Sequence, residues 1–313
     1  HLTRRHYRAP NAQDLAREER VVTLLRERLD DWQEKGYVPR LRIEQGTKTD
    51  EPIRTRGWTY WHHLFTPRQL LTIGLFNEAL SINPYGKYLL PFIGKLADNN
   101  CKLAQWKASQ GGGVGGPVHA FANQALNPLY NFAVRGATSF ETLLLRPGTA
   151  KIVPSVATQV RLLDARRVTE TCSIWLTDPP YADAINYHEL SEFFLAWYGR
   201  WMHEISPDWY TDSKRALAVR GNDADFRQSM VDCYSNLAEY MPDDGLQIVM
   251  FTHQDAGVWA DLSLILWAAG LRVTAAWTIA TETDSALKSG NYVQGTVLLV
   301  LRKRTETDPV FLD

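Results

Sequence analysis

Apolar residues recur at helical spacing near the start of the chain. Leu15, Val21, Val22, Leu24, Leu25, Leu29 and Trp32 share one side of a 3.6-residue period and predict an amphipathic helix from about Ala12 to Lys35. Its arginines alternate with Glu18, Glu19, Asp30 and Asp31, which suits a solvated face, with phosphate contact as the alternative. Residues 36 to 57 lose the period and carry Gly36, Pro39, Gly46, Pro52 and Gly57, so a long polar loop is predicted there. Arg40, Arg42, Lys48, Arg54 and Arg56 in that stretch are candidates for facing a nucleic-acid backbone, or plain surface. Thr66-Pro67-Arg68-Gln69 then supplies an N-cap, a proline at the first helical position and a glutamine that closes a capping box. The helix runs to about Ser81 on a stripe of Leu70, Leu71, Ile73, Leu75, Phe76 and Leu80. Just before it, Trp58, Tyr60, Trp61, His62, His63 and Phe65 form an aromatic-histidine cluster that suits packing or base stacking, while adjacent histidines are poorly spaced for a metal. A further helix is predicted from Gly86 to Lys107, kinked or restarted at Pro91. The glycine run from Gly111 to Pro117 reads as a linker, because no apolar strand leads into it and no helix opens directly after it.

The second half alternates. Strands are predicted at Val156 to Leu163, ending near Asp164, at Ile174 to Thr177, Leu246 to Thr252, Leu271 to Ile279 and Thr296 to Arg302. Helices are predicted at Glu189 to His203, Phe226 to Met241 and Val258 to Ala269. Such alternation argues for an α/β fold with a mainly parallel sheet, and the last two strands are too close for a helical crossover, so they should form an antiparallel hairpin at one edge. Residues 1–150 are thus expected to form a mostly helical region and residues 151–313 an α/β domain.

At 313 residues and 45% hydrophobic content the chain can bury a sizeable core. A net charge of −1 carries no global basic signature, so contact with nucleic acid would have to use a local patch. Cys101, Cys172 and Cys233 lie far apart with no C-x-x-C pair, which argues against a zinc site or a disulfide framework and for a reducing cytoplasm. No apolar run approaches the roughly 20 residues of a membrane span. A chain that begins at His1 is expected to be a processed or excised piece of something longer.

The chemistry concentrates in Ser173-Ile174-Trp175-Leu176-Thr177-Asp178-Pro179-Pro180-Tyr181. Prolines lack the N–H that a ladder needs, so the strand ends where the acid sits. At the C-terminal edge of an α/β sheet a carboxylate and a freed carbonyl can accept the two hydrogens of an amine, and an aromatic face can stack on a planar base.

The DPPY of Asp178, Pro179, Pro180 and Tyr181 resembles the catalytic motif of the amino DNA methyltransferases. Tyr187 to Phe194, Arg56 to Gln69 and Asn123 to Asn127 resemble the large adenine-specific DNA methylases of prokaryotic defence-associated operons, and the likeness runs from about Gly36 to Arg304. This resemblance implies a Rossmann-like methyltransferase sheet, S-adenosylmethionine as cofactor, DNA as substrate, and a role in phage defence beside other defence-system subunits. In that family the acid and the first proline's carbonyl hold the amine while the aromatic stacks on a flipped base. By the same resemblance Asp164 is a candidate for the cofactor, serving equally as a helix cap, with Thr177 beside it; Asp183, Asn186, Tyr187 and His188 follow the motif closely and are candidates for the base pocket, or for helix capping and polar surface. A glycine-rich cofactor turn and a ribose-binding acid are found neither before nor after Asp178. The chain is therefore expected to be the C-terminal portion of a longer methylase, with the upstream part of the same polypeptide as its partner and doubtful activity alone. Methylation of the cytosine amine is the alternative within the class. A catalytically inactive nucleic-acid-binding or scaffold component of a defence complex is the alternative outside it.

Overall fold

Local sequence accounts for most elements of the computed structural model, which describes residues 8–107, 116–121, 159, 161, 163–180, 186–205, 219, 224–280 and 295–304. The chain divides into two units, His1–Thr158 with Tyr187–Lys214, and Gln159–Asn186 with Arg215–Asp313. A single boundary after residue 150 is thus replaced by a discontinuous one: the helix Tyr187–Ile205 joins the helical unit, where Phe193, Trp197 and Trp201 enter its core.

In the helical unit, α1 (Ala12–Glu34) starts on a box in which the Asn11 side chain accepts from the Asp14 N–H and Asp14 accepts from the Asn11 N–H. The stretch expected to be all loop contains α2 (Asp50–Arg56). Acids in its first turn, arginines in its last and Gly57 at φ 65° as a left-handed cap explain the helix, and they also engage Arg54 with Asp50 and Arg56 with Glu51. α3 (Pro67–Ser81) forms as expected, with the reciprocal Thr66–Gln69 box in place. The helix expected from Gly86 to Lys107 is shorter: a 3₁₀ turn at Gly86–Leu89 leads into α4 (Leu90–Asn99), with Pro91 in its first turn. Gln105–Lys107 instead forms β1, antiparallel to β2 (Gly116–Val118), so the end of the glycine run is strand, while residues 111–115 lie outside the described set.

A further helix, α5 (Tyr187–Ile205), completes this core. Phe193 stacks on Phe65 at 5.8 Å and meets Trp61 and Phe121 edge-on, and Trp32, Trp197, Ile93 and Leu96 are fully buried. Some buried polar groups find partners here, whereas the Trp61 and Trp197 indole nitrogens and the Asn99 and Asn100 side-chain oxygens have none among the described residues. Asn77 donates to the Tyr37 carbonyl and accepts from the Trp201 indole, and Glu189 accepts from the Lys48 and Thr49 N–H groups and the Thr49 hydroxyl.

The second unit is α/β. β3 (Ile174–Thr177) is followed by α6 (Ala224–Glu239), β4 (Leu246–Phe251), α7 (Ala256–Ala268), β5 (Leu271–Ile279) and β6 (Thr296–Lys303). The strand order is β3-β4-β6-β5, with β3 parallel to β4 and β6 antiparallel to both neighbours. The sheet among the described residues is therefore mixed rather than mainly parallel, although β3, β4 and β5 point the same way. The expected hairpin forms, and its return strand slots between β4 and β5. The strand expected at Val156 to Leu163 lies largely outside the described residues, and residues 159, 161 and 163 carry no strand pairing.

Strand alternation gives the sheet two unlike faces. Val249, Phe251, Leu299 and Leu301 pack into one core with Phe226, Met230 and Tyr234 of α6 and Leu262, Ile265 and Leu266 of α7. Ile174, Leu176 and Trp277, on the other face, are 60%, 63% and 65% exposed.

Candidate functional site

β3 stops at Asp178 because Pro179 and Pro180 have no N–H to extend its pairing with β4. Asp178 is exposed at the C-terminal end of the strand, and both prolines are half-buried. Tyr181 and Asp183 lie outside the described residues. Directly before the acid, the Thr177 hydroxyl lies 3.1 Å from that of Tyr234 on α6. Burial pushes the Tyr234 phenol well above its ordinary range; the Thr177 hydrogen bond opposes this, and the charges of Cys233 and Asp178 add to it. The phenol is a neutral hydroxyl beside the last residue of β3.

Beside Pro180 opens a cleft of about 410 Å³ between α6, α7 and the end of β4. Phe226, Met230, Phe251, Val258, Leu262 and Ile265 make it apolar, and Arg227, His253, Asp255 and Asp261 make it polar at several points. Each polar group is oriented. Arg227 pairs with Asp261 at 2.9 Å from α6 to α7, and Asp255 caps α7 by accepting from the Gly257 N–H. His253 Nδ1 accepts from the Asp255 N–H at 3.0 Å, which puts the proton of the neutral ring on Nε2. An apolar slot with a few fixed donors and acceptors suits a planar polar ring. Tyr234, His253 and Arg227 were not candidates from sequence, but a signal for His253 was there: it follows the end of a strand parallel to β3, where ligands of α/β sheets gather.

The remaining candidates separate. Asp164 caps the 3₁₀ turn Ala165–Arg167, and both its oxygens accept from the Arg166 side chain at 2.8–3.2 Å. That hydrogen bonding holds its carboxyl below the ordinary value. The Asp164 carboxylate and the Thr177 hydroxyl are thus each already hydrogen-bonded within the α/β unit. Asn186 ends its segment of the α/β unit, whereas Tyr187, exposed, and His188, 3.8 Å from the Glu189 carboxylate, begin α5 in the helical unit.

Among the described residues no group of His, Cys, Asp and Glu is placed to hold a metal ion, and no helix is long and apolar enough to cross a membrane. All three cysteines are free thiols, and burial raises Cys101 to about 12 and Cys233 to about 11. Set against known protein families, curated proteins and solved structures, the chain matches none of them.

Proposed function

We propose that the chain carries the amine-gripping part of an S-adenosylmethionine-dependent DNA methyltransferase that acts on the exocyclic amine of adenine. The observation that carries this reading is the exposed Asp178 carboxylate at the C-terminal end of β3, followed by two prolines and flanked by the cleft. The order β3-β4-β6-β5, with an antiparallel strand between two that run the other way, supports a Rossmann-like methyltransferase sheet.

The adenine amine is a poor nucleophile because its lone pair is delocalised into the ring. Hydrogen bonds from its two N–H groups to the Asp178 carboxylate and the Pro179 carbonyl draw the nitrogen toward tetrahedral geometry and free that pair. The gain is orientation and electrostatics, with no covalent bond to the protein. A base inside a duplex has to be flipped out first, at a few kcal/mol, and the cleft beside Pro180 would receive it. DNA, further defence-system subunits and a cytoplasmic location go with this reading.

The engagement of Asp164 and Thr177 favours a second reading, a nucleic-acid-binding or scaffold component without catalysis. Labelled S-adenosylmethionine and unmethylated DNA, incubated with this chain and with the product of its complete reading frame, separate the two. Label on the N6 of adenine is expected, cut about a hundredfold by Asp178→Ala. Label on the cytosine amine would move the target within the class. Folded protein that leaves every base unlabelled overturns the enzymatic reading.

A further inference from the structure

The helical unit holds a pocket of about 230 Å³, lined among others by Trp58, His62, His63, Phe65, Leu70 and Lys102. Lys102 is half-buried in it, and its ammonium donates to the His63 carbonyl at 2.9 Å and lies 5.2 Å from the centre of the Trp58 ring. No carboxylate of the described residues comes within ion-pair range of it. A cation drawn partly out of water without an acid beside it costs free energy that an arriving anion would offset; accordingly its pKa is lowered by burial alone.

The wall around that cation is aromatic and uncharged. Burial, and then the neighbouring His63, depress His62 to about 4, and burial and the Lys102 charge lower His63. Both imidazoles are therefore neutral at pH 7. His63 Nδ1 accepts from the Thr59 N–H at 3.2 Å, which leaves its proton on Nε2. Lys102 beside indole and imidazole rings, with Arg56 also over the Trp58 ring at 5.3 Å, matches a ligand that is anionic at one end and a flat heteroaromatic at the other.

We infer that this pocket is a nucleotide site, in which Lys102 takes the phosphate and the wall of Trp58, His62 and His63 takes the base. The nucleotide can be free or an unpaired residue of a nucleic-acid strand. The site lies in a different unit from Asp178 and does not depend on the methyltransferase reading.

The test titrates the full chain with AMP, with inorganic phosphate and with a fluorescent single-stranded oligonucleotide, for the wild type, Lys102→Met, Lys102→Arg and Asp178→Ala. Lys102→Met should weaken AMP or oligonucleotide binding at least about tenfold and lower the oligonucleotide's salt slope by about one charge, with Lys102→Arg restoring both. AMP binding without the oligonucleotide assigns a free nucleotide, and the reverse assigns a strand. Three results would overturn the inference: no binding of either probe at low salt, a Lys102→Met protein that binds like the wild type, or phosphate binding as tightly as AMP. If Asp178→Ala abolishes binding and Lys102→Met does not, the nucleotide sits at the α/β cleft; this inference then fails while the proposed function stands.

Discussion

The helical unit and the α/β unit solve burial differently. The first surrounds its large rings: Trp32, Phe193 and Trp197 are at most 1% exposed, and even the carboxylate-bearing Glu189 is 2% exposed because three donors reach it. The second packs α6 and α7 on one sheet face and, among the described residues, leaves Ile174, Leu176 and Trp277 on the other more than half exposed. A closed core derives its stability from fit, so each polar group in it either finds a partner, as Glu189 does, or is left unpaired at a cost, as are, among the described residues, the Trp61 and Trp197 indole nitrogens. A sheet covered on one side derives it from that side alone, and its exposed strand end can carry a carboxylate such as Asp178 without desolvating it.

That contrast can be broken at graded cost. Trp197→Ala, at a side chain in edge-on contact with Phe65 at 5.1 Å, should destabilise the helical unit by about 3–5 kcal/mol. Urea unfolding followed by circular dichroism reads the shift. Gly74→Ala is the next test, because a β-carbon there would run into the six-membered ring of the buried Trp32. Alanine is otherwise the better helix former, yet a loss of about 1–3 kcal/mol is expected, and a gain in melting temperature would mean that the core yields.

The pH response sharpens the comparison further. The folded His62 binds its proton only near pH 4, against 6.5 for the unfolded chain, so unfolding takes up a proton between those values. The His62 contribution to the stability of the helical unit should fall as pH drops from 6.5 to about 4 and level off below, and His62→Phe should flatten that limb relative to the wild type in thermal melts. The smallest effect belongs to the other unit. Leu176→Ser, on the exposed sheet face, should change stability by no more than about 0.5 kcal/mol, and a larger loss would show that the face is covered.

Legibility followed the range of the interactions. The Thr66–Gln69 box spans three residues and forms as read, and β5 occupies the expected Leu271–Ile279. α2 was missed because Gly46, Pro52 and Gly57 suggested loop, whereas Pro52 sits in the first turn and Gly57 is the cap. The helix expected through to Lys107 ended at Asn99 because Gln105–Lys107 paired with Gly116–Val118, a partner that lies across the glycine run. At the candidate site the DPP turn was readable from proline chemistry, whereas Tyr234, 57 positions from Thr177 in sequence, carried no local mark.

What the chain determined by itself was every feature settled within a turn or two: the capped starts of α1 and α3, the apolar stripes, and a strand that prolines halt at Asp178. Tertiary structure alone decided that β6 enters between β4 and β5, that α5 joins the helical core, and that Lys102 comes to lie beside Trp58. The physical reason is that caps and proline stops are complete in neighbouring residues, while strand order and cation placement depend on which distant apolar surfaces bury one another.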